Sequence, residues 1–234
     1  MKKLSLFLLL SLLFSCSRMS STVELSGELE HGNGRMLHLS VLTAEGLQPV
    51  DSAVVRHNSF RFKLNSHKVK CLKEGEPVFL QLSFTPDNGL TTLARGGENV
   101  HFKADANQLV SSYSVTGPED ALLMWELDSA LAVFVAYTDT LLQIYNYYMV
   151  YDSARSMVER RYNQAVAVHR QYLREFITEH PQSFSTMIAF YQEYDNCRFF
   201  NEKEDAVLLR SLTDSLAKYY PNSQYVRWLQ SRIR

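Results

Sequence analysis

The first part of the chain, from Val23 to Val115, consists of short stretches in which apolar and polar residues alternate, separated by turn-forming residues. The clearest stretch is Phe60-Arg61-Phe62-Lys63-Leu64, where every second residue is apolar. Successive side chains of a strand point to opposite faces, so this alternation predicts strands with one buried face. About eight such stretches, joined by tight turns, predict an antiparallel β sandwich or a barrel-like domain. The turn His31-Gly32-Asn33-Gly34 predicts that the first two strands form a hairpin.

From Pro118 onward, apolar residues recur every three or four positions, which is the spacing of one helix face. Pro118, Glu119 and Asp120 open the first helix, because proline fits the first turn and acidic residues complement the helix dipole. Two seams with matching spacing and a short connection predict an antiparallel helical hairpin. The first seam is Leu127, Leu131, Phe134, Thr138, Leu141, Tyr145 and Tyr148, and the second is Val158, Tyr162, Ala165, His169, Tyr172 and Phe176.

Later prolines divide the rest of the helical region. Pro181 and Pro221 interrupt the pattern, so shorter helices are expected after the hairpin, and together they form a helical bundle. The pattern changes near Gly117 and Pro118, which predicts a boundary there. We therefore expect an α+β protein with a β domain at residues 23–117 and a helical domain at residues 118–234.

The N-terminal segment has the layout of a secretory signal. Lys2 and Lys3 precede an apolar run from Leu4 to Phe14. This run is shorter than the roughly 20 apolar residues that span a membrane, and no later unbroken run approaches that length. It ends in Leu13-Phe14-Ser15-Cys16, which resembles the lipobox of bacterial lipoproteins, where a small residue precedes a cysteine.

The lipobox resemblance implies a lipid anchor. It implies that residues 1–15 are removed as a signal peptide and that Cys16 receives a diacylglycerol and an acyl chain, with residues 16–22 as a tether. Several chains together give stable anchoring, whereas a single chain binds only marginally. Ser17 in the second mature position is similar to a signal for the outer membrane, so the expected location is its periplasmic side. A cleaved soluble export protein and a plain apolar N-terminus are the alternatives.

Four segments of the first half resemble one protein family. They are Ser26-Gly27-Glu28-Leu29, Val50-Asp51-Ser52-Ala53, Asn58-Ser59-Phe60-Arg61-Phe62 and Gly97-Glu98-Asn99-Val100-His101-Phe102-Lys103-Ala104-Asp105. Their order is similar to that in the N-terminal domain of unknown function of thioredoxin-like (redoxin) lipoproteins of Bacteroidetes. Each segment consists of common strand and turn residues, so the resemblance depends on their order and spacing.

The resemblance continues into the helical half. Phe176-Ile177-x-Glu179-x-Pro181-x-Ser183 resembles a junction of that family, with His180 where asparagine is usual. Tyr220-Pro221-Asn222-Ser223-x-Tyr225 resembles the segment ahead of the thioredoxin-like domain. Relatives continue into that domain, with a Trp-Cys-x-x-Cys site, and this sequence contains no Cys-x-x-Cys. The resemblance therefore implies an accessory or truncated member of a thiol–disulfide exchange system that works with a redoxin in trans.

Two cysteines besides Cys16 are candidates for redox chemistry. Cys71 and Cys197 would pair only across the two predicted domains, so a disulfide between them is one possibility in an oxidising compartment. Lys68, Lys70 and Lys73 flank Cys71 and would favour a thiolate, but no resolving cysteine lies two residues away. A plain loop cysteine explains Cys71 more simply than a reactive thiol does.

The remaining composition points away from catalysis. The seven histidines form no metal-ligand spacing, and His169 on a helical seam is expected to be a core histidine. Tyr145, Tyr147, Tyr148 and Tyr151 suggest either core and interface packing or a glycan-stacking surface, and their helical spacing favours packing. The formal net charge of -1 argues against a nucleic-acid partner. No catalytic, cofactor or metal site is predicted, so the first hypothesis is a non-enzymatic binding or scaffold module that contacts another envelope protein or a small ligand.

Overall fold

The protein has an α+β fold, as predicted. The computed structural model describes residues 22–69, 72, 75–148, 151–195 and 197–233. Strands precede helices along the chain, and of the residues described 45% lie in helices and 30% in strands. The strands are β1 (Val23–Glu30), β2 (Met36–Thr43), β3 (Gly46–Val54), β4 (Ser59–Leu64), β5 (Val78–Thr85), β6 (Asn88–Ala94), β7 (Asn99–Asp105), β8 (Ser114–Thr116), β9 (Glu193–Tyr194) and β10 (Cys197–Arg198). The helices are α1 (Leu109–Ser112), α2 (Glu119–Tyr148), α3 (Asp152–Glu179), α4 (Ser185–Tyr191), α5 (Ala206–Tyr219) and α6 (Gln224–Arg232).

The first eight strands form a sandwich of two four-stranded sheets. One sheet has the order β4-β1-β7-β8 and the other has the order β3-β2-β5-β6. Neighbouring strands run antiparallel, with β1 and β7 as a parallel pair. The alternation predicted from the sequence is clear in β4, where Phe60, Phe62 and Leu64 are buried and the residues between them are exposed. A short hairpin of β9 and β10 lies apart from the sandwich, within the helical half.

The predicted hairpin between the first two strands is wrong. β1 pairs with β4 and β7, whereas β2 pairs with β3 and β5. The chain crosses between the sheets at one corner, where the Gly34 N–H donates to the Val55 carbonyl and the Val55 N–H donates to the Arg35 carbonyl, both at 2.9 Å. His31 and Gly34 adopt positive φ angles there, of 56° and 80°. The alternation of apolar and polar residues shows which face of a strand is buried, but it does not show which other strand pairs with it.

A glycine allows close packing at the centre of the first sheet. Gly27 on β1 is opposite Phe60 on β4 and Phe102 on β7. A Cβ at this position would lie 2.4 Å from the Phe102 carbonyl oxygen and 2.8 Å from Cε1 of Phe60. The position therefore excludes any residue with a side chain unless the neighbouring strands move apart.

Two hydrophobic cores share the second sheet. The first core lies between the sheets and includes Leu25, Leu39, Phe62, Leu80 and Phe102. The second core lies between the helices and the opposite face of β5 and β6, to which Phe79 and Leu93 contribute. Consecutive residues of β5 thus face different cores, which explains the unbroken apolar run at the start of that strand.

Tyr225 connects the last helix to the second sheet. The side chain is buried, and its hydroxyl donates to the Leu42 carbonyl at 2.7 Å. The Phe79 N–H donates to the same hydroxyl at 3.4 Å, and its ring packs edge-on against the Tyr225 ring at 5.1 Å between centroids. Leu42 and Phe79 are opposite each other on β2 and β5, so the hydroxyl bridges two adjacent strands.

A buried carboxylate forms a second connection between the sandwich and the helices. Asp120 in the first turn of α2 is 4% exposed. The Arg95 guanidinium donates to its Oδ2 at 2.8 Å, and the Ser183 hydroxyl donates to its Oδ1 at 2.6 Å. The acidic residue expected to complement the helix dipole therefore also forms an ion pair with the end of β6 and a hydrogen bond to the start of α4.

The antiparallel helical hairpin is confirmed as the pair α2 and α3. Phe134 on α2 and His169 on α3 meet at 5.0 Å between ring centroids, and both are buried. Among the described helices, α2 is long and apolar enough to cross a membrane, judged by length and composition only. In the protein, 33% of its most apolar stretch is buried. One side of α2 packs on β6 and α4, and other apolar residues of the helix remain exposed.

Candidate functional site

A cleft of about 900 Å³ lies where the sandwich meets the turn between α5 and α6. Thr43 and Gln48 of the β2–β3 hairpin form one wall. Val69 and Glu76, which flank the connection into β5, form the second wall. The third wall is the segment 219–224 together with Arg227. The volume falls within the range of about 300–1,000 Å³ that is typical of small-ligand pockets.

The helical wall of the cleft is held by local hydrogen bonds. The Tyr220 N–H donates to the Leu216 carbonyl at 2.8 Å, which closes α5. The buried Ser223 caps α6, since its hydroxyl accepts from the Tyr225 N–H at 3.1 Å. The Arg227 guanidinium donates to the Asn222 carbonyl at 2.6 Å. The hydrogen bonds that hold this wall are thus made within residues 216–227 themselves.

Charges of both signs balance within the cleft. Glu45 and Glu76 are the acids of the lining, and Lys68 and Arg227 are the bases. Lys68 forms an ion pair with Asp51 at 2.7 Å, and this contact, together with a backbone hydrogen bond, lowers the pKa of the Asp51 carboxyl. The described lining residues therefore carry no excess of one charge, and their electrostatics favour neither an anion nor a cation.

Neutral polar groups and aromatic rings complete the lining. Gln48, Asn222 and Gln224 bring carboxamides, each with both donors and acceptors. Tyr219 is 53% exposed and offers both a ring face and a hydroxyl. Next to it Tyr220 is half-buried, and burial raises the pKa of its hydroxyl, so that side chain is a neutral donor at physiological pH.

Of the three cysteines predicted as sites, Cys197 is the one that the structure describes. Cys16 and Cys71 lie outside the described residues, so lipidation of Cys16 and the pairing of Cys71 with Cys197 stay predictions. Cys197 is a half-buried free cysteine at the start of β10, opposite Tyr194. Burial and a hydrogen bond with the Cys197 thiol raise the pKa of Tyr162 on α3. The partner seen for this thiol is thus a phenol.

The histidine prediction is confirmed at His169. Its ring is 6% exposed, it is hydrogen-bonded to Gln192 at 2.7 Å, and burial lowers its pKa. It also packs against Phe199, at 4.5 Å between ring centroids, as a satisfied core residue does. Across the described ranges, no group of three or more His, Cys, Asp or Glu side chains is arranged to hold a metal ion.

Of the core and interface packing predicted for the hairpin tyrosines, core packing is wrong for most of them, and interface packing stays a prediction. Tyr147 is 78% exposed, Tyr151 is 62% exposed, and Tyr148 is also exposed. They lie at the far end of the hairpin, where the two helices extend past the other elements. Helical spacing identified the shared face correctly, but it does not show where along the helix the covering elements stop.

Sequence reasoning did not identify the cleft. Its residues come from the β2–β3 hairpin, the segment before β5 and the α5–α6 turn, which are distant in the chain. In the sequence, Pro221, Asn222 and Ser223 indicate a helix break and contribute to the family resemblance, and neither property indicates a cleft. Compared with known proteins, the chain matches no protein-family model and no curated protein sequence. The resemblance to redoxin-associated domains therefore rests on the quoted segments alone.

Proposed function

We propose that this protein is a lipid-anchored, non-catalytic binding module of the cell envelope, and that the cleft is its binding site. The lipobox-like segment ending in Cys16 supports the anchor and a position on the periplasmic side of the outer membrane. The observation that carries the proposed activity is the ordered, ligand-sized cleft at the junction of the sandwich and the helices.

The chemistry of the lining favours an uncharged ligand rich in hydroxyl groups, such as a neutral oligosaccharide. Carboxamides of Gln48, Asn222 and Gln224 match hydroxyl groups, because each can donate and accept. The exposed ring of Tyr219 offers an apolar face for the C–H groups of a sugar ring. Among the described lining residues acids and bases balance, and Lys68 and Arg227 already contact Asp51 and the Asn222 carbonyl, which disfavours a phosphate or a carboxylate as ligand.

Binding of the full-length protein to an array of neutral oligosaccharides tests this proposal. We expect Tyr219→Ala to weaken binding about tenfold, which corresponds to about 1.4 kcal/mol. Gln224→Ala should weaken it as well. Tyr147→Ala is the matched control, since Tyr147 is a more exposed tyrosine far from the cleft. Absence of binding to every neutral glycan, or equal losses for Tyr219→Ala and Tyr147→Ala, would contradict the proposed ligand.

The anchor is tested separately. Labelling of cells with a clickable fatty acid should mark the wild-type protein and not Cys16→Ala. Equal labelling of both proteins would contradict lipidation at Cys16, and it would leave the binding proposal to be judged on the array alone.

A further inference from the structure

The middle of the helical hairpin exposes apolar side chains that no other part of the described chain covers. Val133 on α2 is 73% exposed, Tyr137 is 45% exposed, and Val168 on α3 is 64% exposed. They border a groove of about 380 Å³ between the two helices. Together with Arg161 and Glu175 on α3, they define what we term the hairpin face.

The charged residues of the hairpin face are placed symmetrically. Arg161, Val168 and Glu175 follow one another at intervals of seven residues, and all three are exposed. Seven residues make about two turns, or roughly 10.5 Å along the helix, so the three side chains lie on one line. A positive charge therefore stands at one end of this line and a negative charge stands at the same distance on the other side of Val168.

The α2 part of the face is centred at the same height. Phe134 of α2 contacts His169 of α3, at 5.0 Å between ring centroids, so the segment around Val133 and Tyr137 lies beside Val168. Val133 and Tyr137 are one helical turn apart, and the midpoint between them faces Val168. The hairpin face thus has an apolar centre on both helices.

We propose that the hairpin face binds a second copy of this chain, with the two hairpins antiparallel in a four-helix bundle. The two-fold axis lies in the interface, perpendicular to the helices and level with Val168. It places α3 of the second copy antiparallel to α3 of the first, with the two Val168 side chains opposite each other. Arg161 then meets Glu175 of the second copy, and Glu175 meets Arg161, so the charges match twice. On α2 the same axis sets Val133 against Tyr137 of the second copy. Two-fold interfaces are self-complementary in this way.

The defined register of the two hairpins along the helix axis distinguishes this pairing from non-specific hydrophobic association. A pairing that slides by one turn would separate Arg161 from Glu175 of the second copy and expose the apolar centre. Electrostatic matching of this kind sets register and orientation more than affinity. Pairing of two helical hairpins is an established route to a four-helix bundle.

Cysteine crosslinking of the full chain in cell envelopes tests the proposal. Val168→Cys lies at the proposed axis, so copper phenanthroline should convert most of it to a disulfide-linked dimer on a non-reducing gel. Val207→Cys is the matched control, because Val207 is 83% exposed on α5 and away from the face. A dimer band no stronger for Val168→Cys than for Val207→Cys would overturn the proposal.

Charge reversal tests the orientation. In the Val168→Cys background, Arg161→Glu or Glu175→Arg alone should remove most of the dimer band, because each places like charges together. Combining the two reversals should restore the band. Failure of the double reversal to restore dimers, while the protein stays as resistant to protease as the parent, would overturn the antiparallel pairing.

Discussion

Asp128 lies partly buried on α2, where the Tyr113 hydroxyl donates to its Oδ2 at 2.8 Å. Burial raises the pKa of this carboxyl from 3.8 to about 6, against the lowering effect of the Tyr113 hydrogen bond. Trp125 packs beside the pair and donates its indole N–H to the Tyr113 carbonyl at 2.9 Å. The change considered is Asp128→Asn, which keeps an oxygen acceptor for the Tyr113 hydroxyl and removes the charge.

The sign of the effect follows from the direction of the pKa change. Because the folded protein binds this proton more tightly than the unfolded chain does, Asp128 favours folding below about pH 4 and loses that contribution as the pH rises through 6. At about 1.4 kcal/mol for each unit of pKa, the full difference amounts to about 3 kcal/mol. Partial exposure of Asp128 lowers the expected gain for Asp128→Asn at neutral pH to about 1–2 kcal/mol.

Urea unfolding followed by tryptophan fluorescence measures this gain. Free energies of unfolding for wild type and Asp128→Asn should coincide near pH 4 and diverge as the pH rises to 7.5, with the variant more stable. Asp214→Asn on α5 is the matched control, because Asp214 is exposed and its removal leaves no buried partner. A difference that stays constant with pH, or a variant that is less stable at pH 7.5, would refute the reasoning.

Three further changes probe the contacts that hold the fold together. Tyr225→Phe removes the hydroxyl that bridges β2 and β5, so the free energy of unfolding measured in urea should fall by about 1–3 kcal/mol. Gly27→Ala places a methyl group 2.4 Å from the Phe102 carbonyl oxygen, and the loss of stability should be about 1–3 kcal/mol by the same assay. Arg95→Ala leaves the Asp120 carboxylate buried without its cation, which should cost about 3 kcal/mol at pH 7.

Matched controls separate these effects from general damage. Tyr219→Phe removes a hydroxyl from an exposed side chain and should leave stability unchanged. Glu28→Ala changes the exposed neighbour of Gly27 and should have little effect. Lys103→Ala removes a cation from an exposed pair and should cost far less than Arg95→Ala. Equal losses for a variant and its control would show that the named contact does not carry the stability.

The order of strands and helices could be predicted because the apolar spacing of the sequence changes sharply near Gly117. Smaller elements escaped prediction, since α1 has four residues and β9 and β10 have two each, too few for any period to appear. The pairing of β1 with β7 could not be derived, because their alternation is equally compatible with many neighbours. Asn201 and Glu204 have the spacing of a helix start, but the Asn201 side chain accepts the N–H groups of Lys203 and Glu204 in a turn, and α5 begins only at Ala206.

The candidate site was harder to predict than the fold, for a physical reason. Gln48, Tyr219 and Gln224 are ordinary surface residues within their own segments, and they form a cleft only because the chain brings β3 and the α5–α6 turn together. Asp120 shows the opposite case. Its place at a helix start was predicted from sequence, while its ion pair with Arg95 depends on the docking of α2 against β6.

The bridge formed by Tyr225 has a consequence for how the chain folds. The second sheet receives its final hydrogen bonds and the cover of Phe79 from a helix near the opposite end of the described chain. A sandwich that formed first would present Phe79 and Leu93 to water until those helices docked. Contacts over such long sequence separations slow folding and make it cooperative. Because both cores include residues of the second sheet, we expect the sandwich and the helices to unfold together, and a fragment ending near Gly117 would expose an apolar sheet face prone to aggregation.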